Sequence, residues 1–155
     1  MLHVEPGDVY WSLIEPSWTA LNQSWDNLDD FLRASQAVAP KVLLVYAAHW
    51  CRSEVDNGGF HQFFHNTTGL LAPEAAEGFR AIGLLEWSTL LSEAMTYFGA
   101  PYPRERSIRL ERLSAQEDRN RAEWNPFTVL DDRFHESSDA GRWDVAADAY
   151  AKCAA

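Results

Sequence analysis

Asn57-Gly58-Gly59 interrupts the most strongly helical stretch of this 155-residue chain, in the run SEVDNGGFHQFFHNTTG from Ser53 to Gly69. Upstream, APKVLLVYAAHWCRSEV puts Pro40 at a helix start, where the missing N–H is no loss. Its apolar residues Val42, Leu43, Val45, Tyr46, Ala47 and Trp50 wrap broadly around the axis, as in a buried central helix. Downstream, Phe60, Phe63 and Phe64 share one side by their i, i+3, i+4 spacing. The pattern predicts a helix from Pro40 to about Val55 and a turn through DNGG, whose Asn and Gly tolerate left-handed backbone angles. A short second helix then plugs three phenylalanines into the core.

The rest of the chain reads the same way. APEAAEGFRAIG has Pro73 in the first turn, Glu74 and Glu77 near the positive end of the dipole, and Gly83 as a stop. In LLEWSTLLSEAMTYFG, Leu84, Trp87, Leu91, Ala94, Met95 and Phe98 follow three-four spacing up to Gly99. After the linker PYP, RERSIRLERLSAQ alternates Arg and Glu around Ile108, Leu110 and Leu113, as on a solvated helix face. PFTVLDDRFHES and GRWDVAADAYAKC supply the last two helices. In the tryptophan-rich segment 8–34, Trp11, Trp18 and Trp25 recur every seven residues, and Pro16 is expected to split it into two helices meeting at a bend. The expected fold is all-α: a single compact domain, residues 1–155, of about seven or eight helices.

With 23 acids against 13 Lys and Arg, the net charge is −10, which argues against direct binding to nucleic acid or to an anionic membrane. The imbalance is concentrated. Residues 1–100 hold 12 acids and 4 bases, and residues 101–155 hold 11 and 9. Any charged partner should therefore be basic. No apolar run approaches the roughly 18 residues of a membrane span, the N-terminus lacks a secretory pattern, and two cysteines make no disulfide framework, so a cytoplasmic location is expected.

Several chemistries compete at the Asn-Gly-Gly run. As a structural device, the glycines turn the chain, Gln62 and Asn66 share a face, and Glu54 accepts hydrogen bonds from exposed amides of the second helix. As a metal site, His61 and His65 form an H-x-x-x-H pair that needs Glu54, Asp56 or His49 as further ligands, without the glutamate that makes H-E-x-x-H diagnostic. As a nucleophile, Cys51 would need His49 or His61 brought to it by tertiary contact. No G-x-S-x-G, phosphate loop or Cys-x-x-Cys is present, and neither a cofactor nor a catalytic residue is assigned.

Glu54, Val55, Asn57, Gly58, Gly59, Phe60, Gln62, Phe63, Phe64 and Asn66, followed by Leu130, Asp131 and Phe134, resemble the hallmark E-[VI]-x-N-G-G-[FL]-x-Q-[FY]-[FL]-x-N and later L-D-x-x-[FY] of the bacterial DNA-mimic-protein family. The resemblance covers about residues 40–152. It implies an all-helical, frequently dimeric fold without recognised catalysis, and an acidic surface that imitates duplex DNA on the DNA-binding face of a transcriptional regulator. The family pattern leaves positions 61 and 65 open.

Mimicry needs carboxylates spaced along a convex face, and helical acids three or four residues apart have Cβ atoms about 5–6 Å apart. Asp26, Asp29 and Asp30 form one such set and Glu74 with Glu77 another, while Glu86 and Glu93 share a face one heptad apart. The expected function is a non-enzymatic domain that docks a basic protein surface such as that of a DNA-binding regulator, and a homodimer is compatible with it. The alternatives are a metal-dependent or small-molecule-binding enzyme centred on Glu54, Asn57, His61, Gln62 and His65, and an immunity-type protein.

Overall fold

Pro40 begins the longest helix of the fold, and four of the other helices pack directly against it. The structure, a computed structural model, describes residues 3–119 and 125–153. Among these lie eight α-helices and no strand: α1 (Asp8–Asn22), α2 (Leu28–Gln36), α3 (Pro40–His65), α4 (Ala72–Ile82), α5 (Leu85–Met95), α6 (Arg106–Arg119), α7 (Thr128–Glu136) and α8 (Trp143–Lys152). Short 3-10 turns occupy Thr67–Leu71, Thr96–Phe98 and Ser138–Gly141. None of the described helices is long and apolar enough to cross a membrane.

The apolar residues that wrap around α3 explain its position. Val45, Tyr46, Ala47, Ala48, Cys51, Val55, Phe60, Phe63 and Phe64 are buried, because α1, α4, α6 and α7 cover different sides of the helix. The tightest crossing is with α4. A Cβ on Gly78 would lie 2.3 Å from the Leu44 carbonyl oxygen, so only hydrogen at this position lets the two backbones meet.

The expected interruption at Asn57-Gly58-Gly59 is present and tight: Gly58 (φ −155°, ψ 21°) and Gly59 (φ 76°, ψ 179°) leave helical geometry, and helix resumes at once beyond the kink within α3. The angles of Gly59 are essentially glycine-only, and its hypothetical Cβ would fall 2.5 Å from Asp131 Oδ2. The expectation for Pro16 needs correction: it does not split the N-terminal segment, since α1 runs through it. A proline inside a helix leaves the carbonyl four residues earlier without its donor. Here Ser12 and Pro16 both lie on the exposed side of α1, where a carbonyl without its helical donor is accessible to solvent instead of being sealed in the core.

Helix ends are satisfied from far away in sequence. Asp148 on α8 accepts from the Gly7 and Tyr10 amides at 2.8 and 2.9 Å, capping α1. Asp139 accepts from Trp87 N at 3.1 Å at the start of α5. Asp131 accepts from Phe60 N at 2.8 Å, where the break in α3 frees an amide. Three acids of the last third therefore serve helix N-termini, where the backbone carries partial positive charge. The phenylalanine of LDDRF completes this corner: Phe134 stacks on Trp87 at 4.1 Å, and the Trp87 indole donates to the Phe134 carbonyl at 2.9 Å. As expected, Gly83 closes α4, but α5 ends at Met95 and a 3-10 turn intervenes before Gly99.

Candidate functional site

The break at Gly58 and Gly59 folds the second half of α3 so that its polar side chains face Glu54. This carboxylate is 9% exposed and accepts from Gln62 Nε2 at 2.6 Å, from Asn66 Nδ2 at 3.1 and 3.3 Å, and from Thr68 Oγ1 at 2.8 Å. Asn57 Nδ2 in turn donates to Gln62 Oε1 at 3.1 Å. The expectation that Glu54 binds backbone amides is corrected: its partners are side chains. The free amide at the break goes to Asp131 instead. Motif residues that looked ready for a ligand are mostly engaged with one another, and Phe60, Phe63 and Phe64 are fully buried.

The metal reading loses its further ligands. His61 and His65 do lie side by side, ring centroids 5.8 Å apart, over a shallow depression with Gly58, Gln62 and Asn66. Glu54 is turned inward, Asp56 pairs with Arg52 at 3.5 Å and His135 at 3.8 Å, and His49 lies among tryptophans. Among the described residues no three His, Cys, Asp or Glu side chains form a metal-binding group. Cys51 is fully buried and burial drives its thiol pKa well up, the opposite of an activated nucleophile.

His49 faces the rings of Tyr10, Trp11, Trp18 and Trp50, and its Nδ1 lies 3.3 Å from the Tyr10 hydroxyl. Burial, with a smaller contribution from Arg52, lowers its pKa from 6.5 to about 4. Between these values the unfolded chain binds a proton that the folded chain refuses, so stability present above pH 6.5 is lost as pH falls toward 4. The expected loss is about 3 kcal/mol. Asp131 acts with the opposite sign, because burial raises its pKa and the stability it contributes is lost as pH rises through that raised value. Urea melts across this range, comparing wild type with His49→Phe, should show a shallower acid slope in the variant; parallel slopes would remove His49 as the cause.

The reading of RERSIRLERLSAQ as a wholly solvated face is also corrected. Arg109 has no exposed surface. It donates to the carbonyls of Phe64 (2.9 Å), Asn66 (3.0 Å), Pro103 (3.4 Å) and Arg104 (2.5 Å), joining α6 to the end of α3. Arg106 Nε adds a bond to the His65 carbonyl at 2.8 Å. The one sequence signal for Arg109 was its place between Ile108 and Leu110, on a helix with few apolar anchors.

The acids divide into surface and structural groups. Asp26, just before the Asn27 cap, and Asp29 and Asp30 in the first turn of α2 are exposed, and Asp30 pairs with Arg33 at 3.3 Å. Glu77 is exposed, whereas Glu74 faces Arg104 in a two-bond ion pair at 2.7 and 3.1 Å, its side chain 15% exposed. Glu86 accepts from Ser137 Oγ at 2.7 Å, and Glu93 lies 3.4 Å from Arg133.

In comparisons with known proteins, the family model described as DMP19-like protein matches residues 36–153. No curated protein and no solved structure matches the chain.

Proposed function

The chain belongs to the DMP19-like protein family, and from that premise we propose that it is a non-enzymatic protein-binding domain whose acidic surface occupies the DNA-binding face of a basic regulator. One observation carries the reading beyond family membership. Asp26, Asp29 and Asp30 project into solvent from one helix start, while Asp131, Asp139 and Asp148 are consumed at helix N-termini. Exposed carboxylates a few ångströms apart present a repeated negative charge of the kind that lysine and arginine seek on a phosphate backbone. They also steer a basic partner toward contact at long range. The Asn-Gly-Gly motif then has a supporting part, since Glu54, Asn57, Gln62 and Asn66 hold the two halves of α3 in register. A homodimer belongs to the same reading, and light scattering at twice the chain mass would support it.

The test is capture of partners from native lysate at about 50 and about 300 mM salt, with duplex DNA as competitor. A basic DNA-binding protein released by both salt and DNA is expected. Asp26→Lys, Asp29→Lys and Asp30→Lys together should weaken its binding at least about tenfold, since opposite charges become like charges across the contact. Asp29 and Asp30 also favour the α2 dipole, by about 0.3–1 kcal/mol each, so circular dichroism must first show the helices intact. Unchanged affinity in a folded triple variant would remove this patch from the reading.

A further inference from the structure

Residues 1–32 contain six acids, Glu5, Asp8, Glu15, Asp26, Asp29 and Asp30, and no lysine or arginine. This segment precedes the family match, which begins at residue 36. It also supplies three members of a continuous row of indoles. Trp11 and Trp18 have ring centroids 5.0 Å apart, Trp18 stacks on Trp50 of α3 at 5.1 Å with the planes 15° apart, and Trp50 meets Trp25 edge-on at 5.0 Å. All four rings are half-buried, each packing against the core while keeping part of its surface in water.

Helix geometry places acids along this row. At 100° per residue, buried Tyr10, Ile14 and Leu21 define the inner side of α1, Trp11 and Trp18 lie on its flank, and Asp8 and Glu15 fall just beyond them toward solvent. At the other end, Asp26 and Asp29 share a cleft with Trp25. Arg104, Glu105 and Arg106 line the same cleft; Arg104 is held by Glu74 and Arg106 by the His65 carbonyl.

We propose that this tryptophan row, bordered by Asp8, Glu15, Asp26 and Asp29, docks an arginine-rich segment of a partner protein. Guanidinium groups suit both features. They are planar, stack on indole faces with less loss of hydration than an ammonium, and pair with carboxylates through two parallel bonds. Nucleic acid is repelled by the same acids, and a second copy of this chain would bring like charge against like. The inference rests on the proposed function for the basic character of the partner, and adds where on this chain it seats and which cation it prefers.

The probes are nona-arginine and nona-lysine peptides, titrated into the full chain at about 50 mM salt and followed by calorimetry and tryptophan emission. Nona-arginine should bind at least about threefold more tightly than nona-lysine and change the indole emission. Asp8→Asn with Glu15→Gln should lower nona-arginine affinity by about tenfold, and because both residues are exposed the fold should survive. Trp18→Phe, which keeps an aromatic ring but narrows its face, should reduce the preference for arginine. Equal binding of the two peptides, unchanged emission, or no response to the acid variant overturns the proposal. Self-association of the chain without any peptide response also overturns it. If the peptides fail while a DNA-competed basic partner is still captured, the row is refuted and the acidic-surface reading stands. Arginine-selective binding at the row with no DNA-competed partner would refute the mimicry and leave the row.

Discussion

Replacing Arg109 with alanine should destabilise the protein by about 3–5 kcal/mol, the largest loss expected from any single change on α6. The guanidinium is fully buried and has four carbonyl partners, on Phe64, Asn66, Pro103 and Arg104, and among the described residues no carboxylate pairs with it. Burial lowers its pKa, yet the group stays charged because it faces the negative end of the α3 dipole and a ring of carbonyl oxygens. Alanine would take a donor from each of those oxygens, leaving Asn66 only the Gly69 amide at 3.2 Å, and open a void beside Gly69, whose own hypothetical Cβ would lie 2.8 Å from Arg109 Nε. Lysine keeps the charge but not the planar fork, so Arg109→Lys should recover only part of the loss. Urea denaturation followed at a helical wavelength measures both. A midpoint unchanged in Arg109→Ala would mean that the end of α3 is held by other contacts, such as Tyr102 Oη to the Gly69 carbonyl at 2.6 Å.

A comparable loss, about 3–4 kcal/mol, is expected for Glu54→Ala. The carboxylate collects donors from Gln62, Asn66 and Thr68 and orients all three. Removing the acceptor strands the buried Thr68 hydroxyl and takes the partner from two half-buried amides. Glu54→Gln separates shape from charge: it fills the space but presents an amide to amides, so one or more donors must go unpaired. The effects of Glu54→Ala and Thr68→Val should be strongly non-additive, because the second change removes a donor that the first has already stranded. Additive losses in that double-mutant cycle would show that the network is not a unit. Loss of partner binding in a fully folded Glu54→Gln protein would be a different result, giving the cluster a contact role beyond support.

The helices were legible because their signals are local. Pro40 and Pro73 at helix starts, Gly83 at an end, and the three-four spacing of Trp87, Leu91 and Ala94 each depend on neighbours within a few residues. Pro16 misled because its effect depends on which side of α1 faces water, and that is set by α3 and α8. The same limit applies to charge. Glu74 reads as a surface acid at a helix start, but Arg104, 30 residues away in sequence, turns it into a partner.

Sequence by itself determined the all-helical class, the break at Gly58 and Gly59, the phenylalanine side of the second half of α3 and the excess of acid in the first 100 residues. These follow from backbone freedom, periodicity and composition, which need no knowledge of what lies opposite. Tertiary structure alone decided that Glu54 is a hub for side-chain donors, that Asp131 reaches the glycine break, that Arg109 is buried, and that four tryptophans join into one row. Each of those depends on desolvation and on hydrogen-bond geometry between segments far apart in the chain. The energy of a charged or polar group is set by its partners and its exposure to water, and both are absent from a local pattern.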